Sequence, residues 1–481
     1  MNNKLVTYLK KVIRVGKKKN LSIYIFILFI SLITILGLYL YSYVLKTDFF
    51  FYADDWAWLY RAQFNSYKDL FSLLPYQIYN DRPVGAVFVK FIYSLFELNN
   101  VKTHLFLLAI HICNSILIYL ITRKIFGKKY LFVVLSTFLF AINFPVVYTV
   151  LNVGSIFDLL GNFFFLLTFL LHIRGGSVEK LLSYFTLILS IRTKETLIVL
   201  PLILLFYDFI FRSSHRSFIK RCYQIIKDNK VVLLISAIIT AKYIYLFFNT
   251  NIPIEDPYHY SFDLSAILSS LSYHLSNLLY LSKNIPNLFT AILLLIMMLY
   301  GVSNRKFLFF YISALLLLSP TILISIAKNP LYFYFPSSFM FIGISLFFSN
   351  IKVKFNVFRY FVLLISFVVV VLMIKNSIVY KSRVNFTLGH GAEYRKNLQQ
   401  FSEIIPTIDK DTFVAIQGLP EYFNVFDYGP CYSVKILYRN NNWTCEIYHE
   451  QDMFNNVTDS VNKYYVLKYH AGNIYLNEAS K

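Results

Sequence analysis

Long apolar runs, broken by short gaps rich in charge or in Pro, Gly and Asn, recur along most of this chain. A helix that crosses about 30 Å of hydrocarbon needs about 20 mostly apolar residues. Runs of that kind lie near 21–45, 103–122, 130–149, 151–173, 178–191, 196–211, 230–248, 286–301, 307–327, 331–349 and 357–375, and they predict eleven transmembrane helices. The fifth and sixth runs are short and are separated by Arg192, Lys194 and Glu195. The first is too long for a cleaved signal peptide and lacks a small-residue cleavage site, which predicts a retained anchor. From about residue 376 the pattern changes. Turn signals at Gly418, Pro420, Gly429 and Pro430, with short β-branched or aromatic runs at 412–416, 434–438 and 463–467, predict a small mixed α/β domain. The expected architecture is thus an all-α polytopic membrane domain over 21–375, behind a basic tail at 1–20 and ahead of an outer domain at 376–481.

Composition agrees with this reading. Of 481 residues, 57% are hydrophobic and only 15% charged, whereas soluble domains run near a quarter charged. The formal net charge of +21 would suit a nucleic-acid binder, but such proteins gather their basic residues on one face or helix. Here Lys and Arg punctuate the apolar runs. Short loops rich in Lys and Arg stay on the cytoplasmic side, and with a cytoplasmic amino terminus nearly all of the short-loop Lys and Arg fall there, opposed by Glu179 and Asp228. This predicts a multi-pass protein of the inner (plasma) membrane with its carboxyl-terminal domain outside. The +21 then resides in a basic cytoplasmic rim, and the opposite face is close to neutral. Four cysteines exclude a disulfide-dense scaffold. Cys431 and Cys445 would sit in an oxidising compartment, either bridged or as two free thiols; Cys113 and Cys222 are expected to stay reduced.

The densest polar chemistry lies in the first outer loop, 46–100, which contains "FYADDWAWLYRAQF" and "YNDRPVGAVFVKF". Asp54 and Asp55 stand side by side among aromatics, a setting in which partial desolvation favours a general base. The plainer alternative is a pair of solvated acids or a helix cap. The segment 83–98 carries Lys90 and ends near Glu97, which predicts an interfacial helix. Arg82 can offer a planar fork to a phosphate, or else pair with Asp81 or Asp54.

Ionisable groups inside a bilayer are costly and tend to mark function. Arg192, Lys194 and Glu195 form the strongest such cluster, with Lys194 suited to neutralise an anionic headgroup and Glu195 to orient it or shape the site; the alternative is an internal Lys194–Glu195 or Arg192–Glu195 pair. Asp158 sits near the outer end of the fourth run, facing the same cavity or pairing with a buried Lys or Arg. His111 and Asn114 share one helix face, and such a His more often serves an interhelical hydrogen bond. No HExxH, CxxC or His cluster has metal-ligand spacing, and neither a P-loop nor a GxGxxG opening a helix is present.

In this order, these residues resemble the GT-C superfamily of polytopic glycosyltransferases, such as protein O-mannosyltransferases and the aminoarabinose transferases of lipid A. The matching elements are Asp54 and Asp55 in "FYADDWAWL", Arg82 and Pro83 before "LFELNN", His111 and Asn114, Asp158 in "FDLL", then "TKE" with Lys194, Glu195, Pro201 and Asp208, and "YFYFPSS" with Tyr332, Tyr334, Pro336 and Ser337. Related sequences often carry Arg where this chain has Ile156, Phe157 and Leu331, which shifts the expected phosphate ligands to Arg82, Lys194 and Lys328. The resemblance implies transfer of a sugar from a polyprenyl-phosphate carrier to an extracytoplasmic glycan or protein hydroxyl. It implies Asp54 as base with Asp55 assisting, Arg82 and Lys194 on the leaving phosphate with Glu195 shaping the site, and Asp158, His111, Tyr332 and Tyr334 as further cavity residues. A monophosphate leaving group held by cations can dispense with a divalent metal, and the metal requirement stays open. Two rivals remain: a transporter or lipid-linked-sugar flippase, although no internal repeat is visible, and a noncatalytic envelope-assembly protein that has kept the fold.

Overall fold

The computed structural model describes residues 50–51, 54–78, 81–127, 129–143, 149–150, 152–212, 217–250, 260–278, 286–324, 329–350, 385–419, 425–426, 431–449, 463–470 and 473–479, with isolated positions at 31, 34–35, 42, 371 and 375. The runs at 21–45 and 357–375 fall almost entirely outside the described residues, as does Lys328.

The helices, in chain order, are α1 Asp54–Phe64, α2 Tyr67–Leu70, α3 Pro83–Phe96, α4 Asn100–Phe126, α5 Tyr130–Ala141, α6 Ile156–Arg174, α7 Ser177–Thr193 and α8 Leu200–Tyr207. They continue as α9 Phe218–Asp228, α10 Lys230–Asn249, α11 Leu264–Leu278, α12 Asn287–Ser303, α13 Arg305–Ile322, α14 Tyr334–Asn350 and α15 Asn385–Ile404. Beyond them lies a smaller unit with β1 Thr412–Leu419, α16 Tyr432–Tyr438, β2 Thr444–His449, β3 Lys463–His470 and β4 Asn473–Ala479.

By length and composition, five segments can cross a membrane: Asn100–Phe126, Val153–Arg174, Lys230–Asn249, Arg305–Ile322 and Pro330–Asn350. The expected eleven are not reached among the described residues, and the sequence shows why. The sixth run is divided into a 3-10 turn at Glu195–Val199, the short α8 with Pro201 in its first turn, and a π-helical turn at Asp208–Arg212. The third run gives a helix of only 12 residues. In the other direction, α11 escaped a hydropathy reading because five serines and His274 interrupt its apolar sequence.

Burial sorts these helices by neighbour. The window of Val153–Arg174 is 89% buried, whereas that of α10 is 11% buried, so α6 is the pillar of the helical body and α10 a peripheral helix. Phe169 fixes the pillar, with its ring 5.8 Å from Phe309 on α13 and 4.9 Å from Phe339 on α14. Local caps set the helix ends: Asn99 accepts the Lys102 N–H to open α4, and Asn304 accepts the Phe307 N–H to open α13. Gly175, in the left-handed region at φ 78°, closes α6 and turns the chain into α7.

The four strands form one sheet in the order β2-β1-β3-β4, with β1 parallel to both neighbours and β4 antiparallel to β3. Gly418 bulges the end of β1 at φ 74°, where a Cβ would stand 2.9 Å from the Tyr469 carbonyl oxygen. The structure joins Cys431, at the start of α16, to Cys445 on β2. This unit rests on the helical body through α16: the ring of Tyr432 stacks on Tyr60 of α1 at 4.1 Å, and Arg439 meets Glu97 at 2.8 Å.

Candidate active site

The face of α1 formed by Asp54, Ala57, Trp58 and Arg61, one helical stripe of i, i+3, i+4 and i+7, lines a cavity of about 910 Å³. Asp54 is exposed at this wall, with its carboxylate at the start of the helix, where the macrodipole favours an anion. Asp55 has a different fate. It is fully buried, and its Oδ1 accepts the Gly154 N–H at 3.0 Å, which ties α1 to the 3-10 turn that leads into α6. The acidic pair therefore divides between one group facing the cavity and one holding the helix in place.

Across the cavity stand Arg82, Asp158, Lys194 and Glu195. The ion pairs differ from every pairing expected from sequence neighbours. Arg82 makes a fork-to-fork contact with Glu195, from Nε to Oε2 at 2.8 Å and Nη2 to Oε1 at 2.7 Å. Lys194 Nζ meets Asp158 Oδ2 at 3.1 Å, with side chains only 5% and 1% exposed. Arg192, expected near Glu195, turns away from the cavity to Asp81 at 3.0 Å and to the Ser72 hydroxyl at 2.7 Å. The chain changes course between them: Arg192 lies in the last turn of α7, whereas Lys194, extended at φ −146° and ψ 121°, ends that helix and carries itself and Glu195 to the cavity. Burial alone would raise the Glu195 carboxyl; the Arg82 guanidinium outweighs it, and with Lys194 nearby holds the group at about 2, so Glu195 is an anion throughout the physiological range and unsuited to act as a base. One buried acceptor is left over, since Asp158 Oδ1 has no hydrogen-bond partner among the described residues.

A ladder of rings and cations lines the floor. The Arg61 guanidinium lies over Trp58 at 5.0 Å, Trp58 packs on Phe157 at 4.3 Å, and Phe157 lies under Arg82 at 5.3 Å. Gly85 makes this possible, because a Cβ there would come within 2.1 Å of the Phe157 ring. The four charges of the two pairs cancel, but Arg61 has no acidic partner among the described residues and is a cation left over for a ligand. Sequence reading passed over Arg61, although its place seven residues after Asp54 puts both on one helix face. The far wall is apolar: Ile244, Phe247 and Phe248 of α10 face Phe262, Leu323 and Ile324, and Phe248 and Phe262 are 79% and 73% exposed.

Tyr332 lines this cavity and Tyr334 does not. Tyr334 is fully buried; its hydroxyl meets His111 Nδ1 at 2.9 Å and accepts from Asn114 Nδ2 at 3.1 Å. His111 Nε2 lies 3.1 Å from the Ala141 carbonyl oxygen, and Asn114 also donates to that of Leu159. The expectation that His111 and Tyr334 face the cavity is corrected: with Asn114 they form a polar knot binding α4, α5, α6 and α14. Most of their polarity is absorbed by one another and by backbone carbonyls; Asn114 Oδ1 alone of the three side chains has no partner among the described residues.

No sequence profile of a known family matches the chain, and no curated protein matches it. Among solved structures, a crystal structure of ArnT from Cupriavidus metallidurans bound to undecaprenyl phosphate aligns with 91% of this chain and 92% of its own, at 11% identity and a TM-score of 0.48. A likeness that distant carries no argument about this chain.

Proposed function

We propose that the chain is an integral membrane glycosyltransferase of the GT-C type, moving a sugar from a polyprenyl-phosphate carrier to a hydroxyl of an acceptor outside the cytoplasm. The observation that carries this reading is one cavity in which the Asp54 carboxylate, Arg61 beside the paired Arg82 and Lys194, and an exposed apolar slot meet. A polyprenyl-phosphate sugar has the complementary parts: an isoprenoid tail for the slot beside α10, a phosphate for the cations, and a sugar beyond them within reach of Asp54.

In this scheme Asp54 takes the acceptor hydroxyl proton as the oxygen attacks the anomeric carbon. The new carbon–oxygen bond forms as the bond from that carbon to the phosphate oxygen breaks, inverting the centre. The electron pair leaves with the polyprenyl phosphate. Its charge is met by Arg61 and by Lys194 and Arg82, whose partnered geometry holds them in fixed positions in advance. Asp55 acts through α1, and Glu195 and Asp158 orient the two cations. Tyr332 is available to the sugar. The outer domain, seated on α1 through Tyr432, is placed to bear on acceptor choice.

Membranes carrying the chain, incubated with a radiolabelled polyprenyl-phosphate sugar and candidate acceptors, test the scheme. Label should reach the acceptor and fall at least about 100-fold with Asp54→Asn, while membrane insertion is unchanged. Near-normal transfer by that variant would sink it. Movement of the carrier without turnover would select a flippase.

A further inference from the structure

At the other end of the pillar helix is a second polar cavity, of about 640 Å³, formed where the end of α6, the start of α7, the π turn and α9 converge. Sixteen residues separate Asp158 from Arg174, about 24 Å of helix at 1.5 Å per residue, so the two cavities lie at opposite faces of the helical body. Arg174, Lys180 and Arg212 line this one, with Gln224 and Asn229 as further polar groups.

Two acids also line it, and both are engaged. Asp208 is met by His172 Nε2 at 3.1 Å, Arg212 Nη1 at 3.0 Å and Asn229 Nδ2 at 2.8 Å. Asp228 accepts from Gln224 on its own helix at 2.8 Å. Glu179, outside the lining, folds back over Gly176, where its Oε2 lies 2.1 Å from the position of an added Cβ. Arg174 and Lys180 have no acidic partner among the described residues. The cavity therefore offers a net cationic lining in which Arg212 is already positioned.

The surroundings select the ligand. The helices that line the cavity also present apolar side chains to the outside: Val178, Leu181 and Phe185 on α7 are 67%, 69% and 60% exposed, and Phe218, Ile219 and Ile226 on α9 are 68%, 78% and 56% exposed. The sequence of α9, FIKRCYQIIKD, is strongly amphipathic and lies just ahead of the candidate span α10, the form of a helix that rests in the plane of an interface. A cationic hollow at the rim of a membrane-spanning helix, flanked by exposed apolar faces, suits a phosphate that carries acyl chains.

We propose that this cavity binds the phosphate headgroup of an anionic phospholipid, gripped by Arg174, Lys180 and Arg212, with its acyl chains along the exposed faces of α7 and α9. The test is native mass spectrometry of the full chain, released from neutral detergent after exposure to phosphatidylglycerol or to phosphatidylcholine, for the wild type and for the double variant Arg174→Ala/Lys180→Ala. Both side chains lack acidic partners among the described residues, so the variant should unfold at the wild-type temperature in detergent alone. The wild type should retain phosphatidylglycerol in preference to phosphatidylcholine, and the double variant should lose roughly ten-fold in phosphatidylglycerol retention. Lys180→Arg, which keeps the charge, should retain it. Equal retention of the two lipids by the wild type, or wild-type retention of phosphatidylglycerol by the double variant, would overturn the proposal. Displacement of the lipid by millimolar inorganic phosphate would overturn the lipid assignment in favour of a soluble anion.

Discussion

Replacing Lys194 with methionine leaves Asp158 as an uncompensated charge in a site where it is 1% exposed. At 3.1 Å the pair interacts by about 5 kcal/mol at an effective dielectric constant of about 20, and most of that is offset by the desolvation of both groups. Removing one partner keeps the cost and loses the compensation, which is worth about 3–5 kcal/mol for buried pairs. The loss belongs near the upper end here, because Asp158 Oδ1 already lacks a hydrogen-bond partner among the described residues. The assay is thermal unfolding in detergent at a fixed scan rate, followed by intrinsic fluorescence; two of the three tryptophans, Trp56 and Trp58, lie on α1. Lys194→Met should unfold many degrees below the wild type, and Lys194→Met/Asp158→Asn should recover most of the difference. Sugar transfer separates structure from chemistry: the stable double variant should remain inactive if Lys194 also meets the donor phosphate. A single variant that unfolds with the wild type would refute the pairing, and a fully active double variant would refute the donor role.

Other outcomes follow from the same geometry. Arg61→Ala should raise the KM for the lipid-linked donor about ten-fold or more with little change in thermal stability, since the side chain lies over the Trp58 ring and has no acidic partner among the described residues; steady-state kinetics check this. Gly85→Ala should cost about 1–3 kcal/mol in unfolding measurements by overpacking against Phe157, and should weaken transfer by displacing the ring beneath Arg82. Reduction of the Cys431–Cys445 bridge, which closes a separation of 14 residues, should remove about 3 kcal/mol from the carboxyl-terminal unit, read as faster proteolysis within 412–479. Glu195, held at about 2 against an ordinary 4.5, contributes stability that is fully present above about pH 4.5 and lost as pH falls toward 2. Glu195→Gln should lower stability at neutral pH and flatten that acid limb in a pH series of unfolding temperatures.

Much of the candidate site was legible in the order of residues. Asp54, Arg82, Asp158, Lys194 and Tyr332 stood out as polar groups in apolar surroundings, and all of them line one cavity. That Asp158 would pair with a buried cation was legible, and Lys194 is that cation; the partners of Arg82 and Arg192 were not, because α7 ends at Lys194 and sends Arg192 and Glu195 to different partners. Arg61 was hidden by its setting, an arginine in an amphipathic helix where arginines are unremarkable. His111 and Tyr334 show the converse error: polarity within an apolar run marks an interhelical knot as readily as a site. The helical class follows from hydropathy; among the described residues the eleven expected spans are not all recovered, since α8 is short, and α11, interrupted by serines, lies outside the expected runs.

The two pairs at the base of the first loop have a further consequence. Asp81 and Arg82 are adjacent and opposite in sign, and they dock on Arg192 and Glu195, also opposite in sign. If the residues just ahead of α3 slipped by one position toward the amino end, Arg82 would be brought against Arg192 and no carboxylate would answer it. A slip the other way would set Asp81 against Glu195. The four charges thus specify a single alignment of two segments more than a hundred residues apart, through repulsion in the wrong positions as much as attraction in the right one. Exchanging the two residues, Asp81→Arg with Arg82→Asp, would leave composition and net charge untouched and still oppose like charges at both contacts.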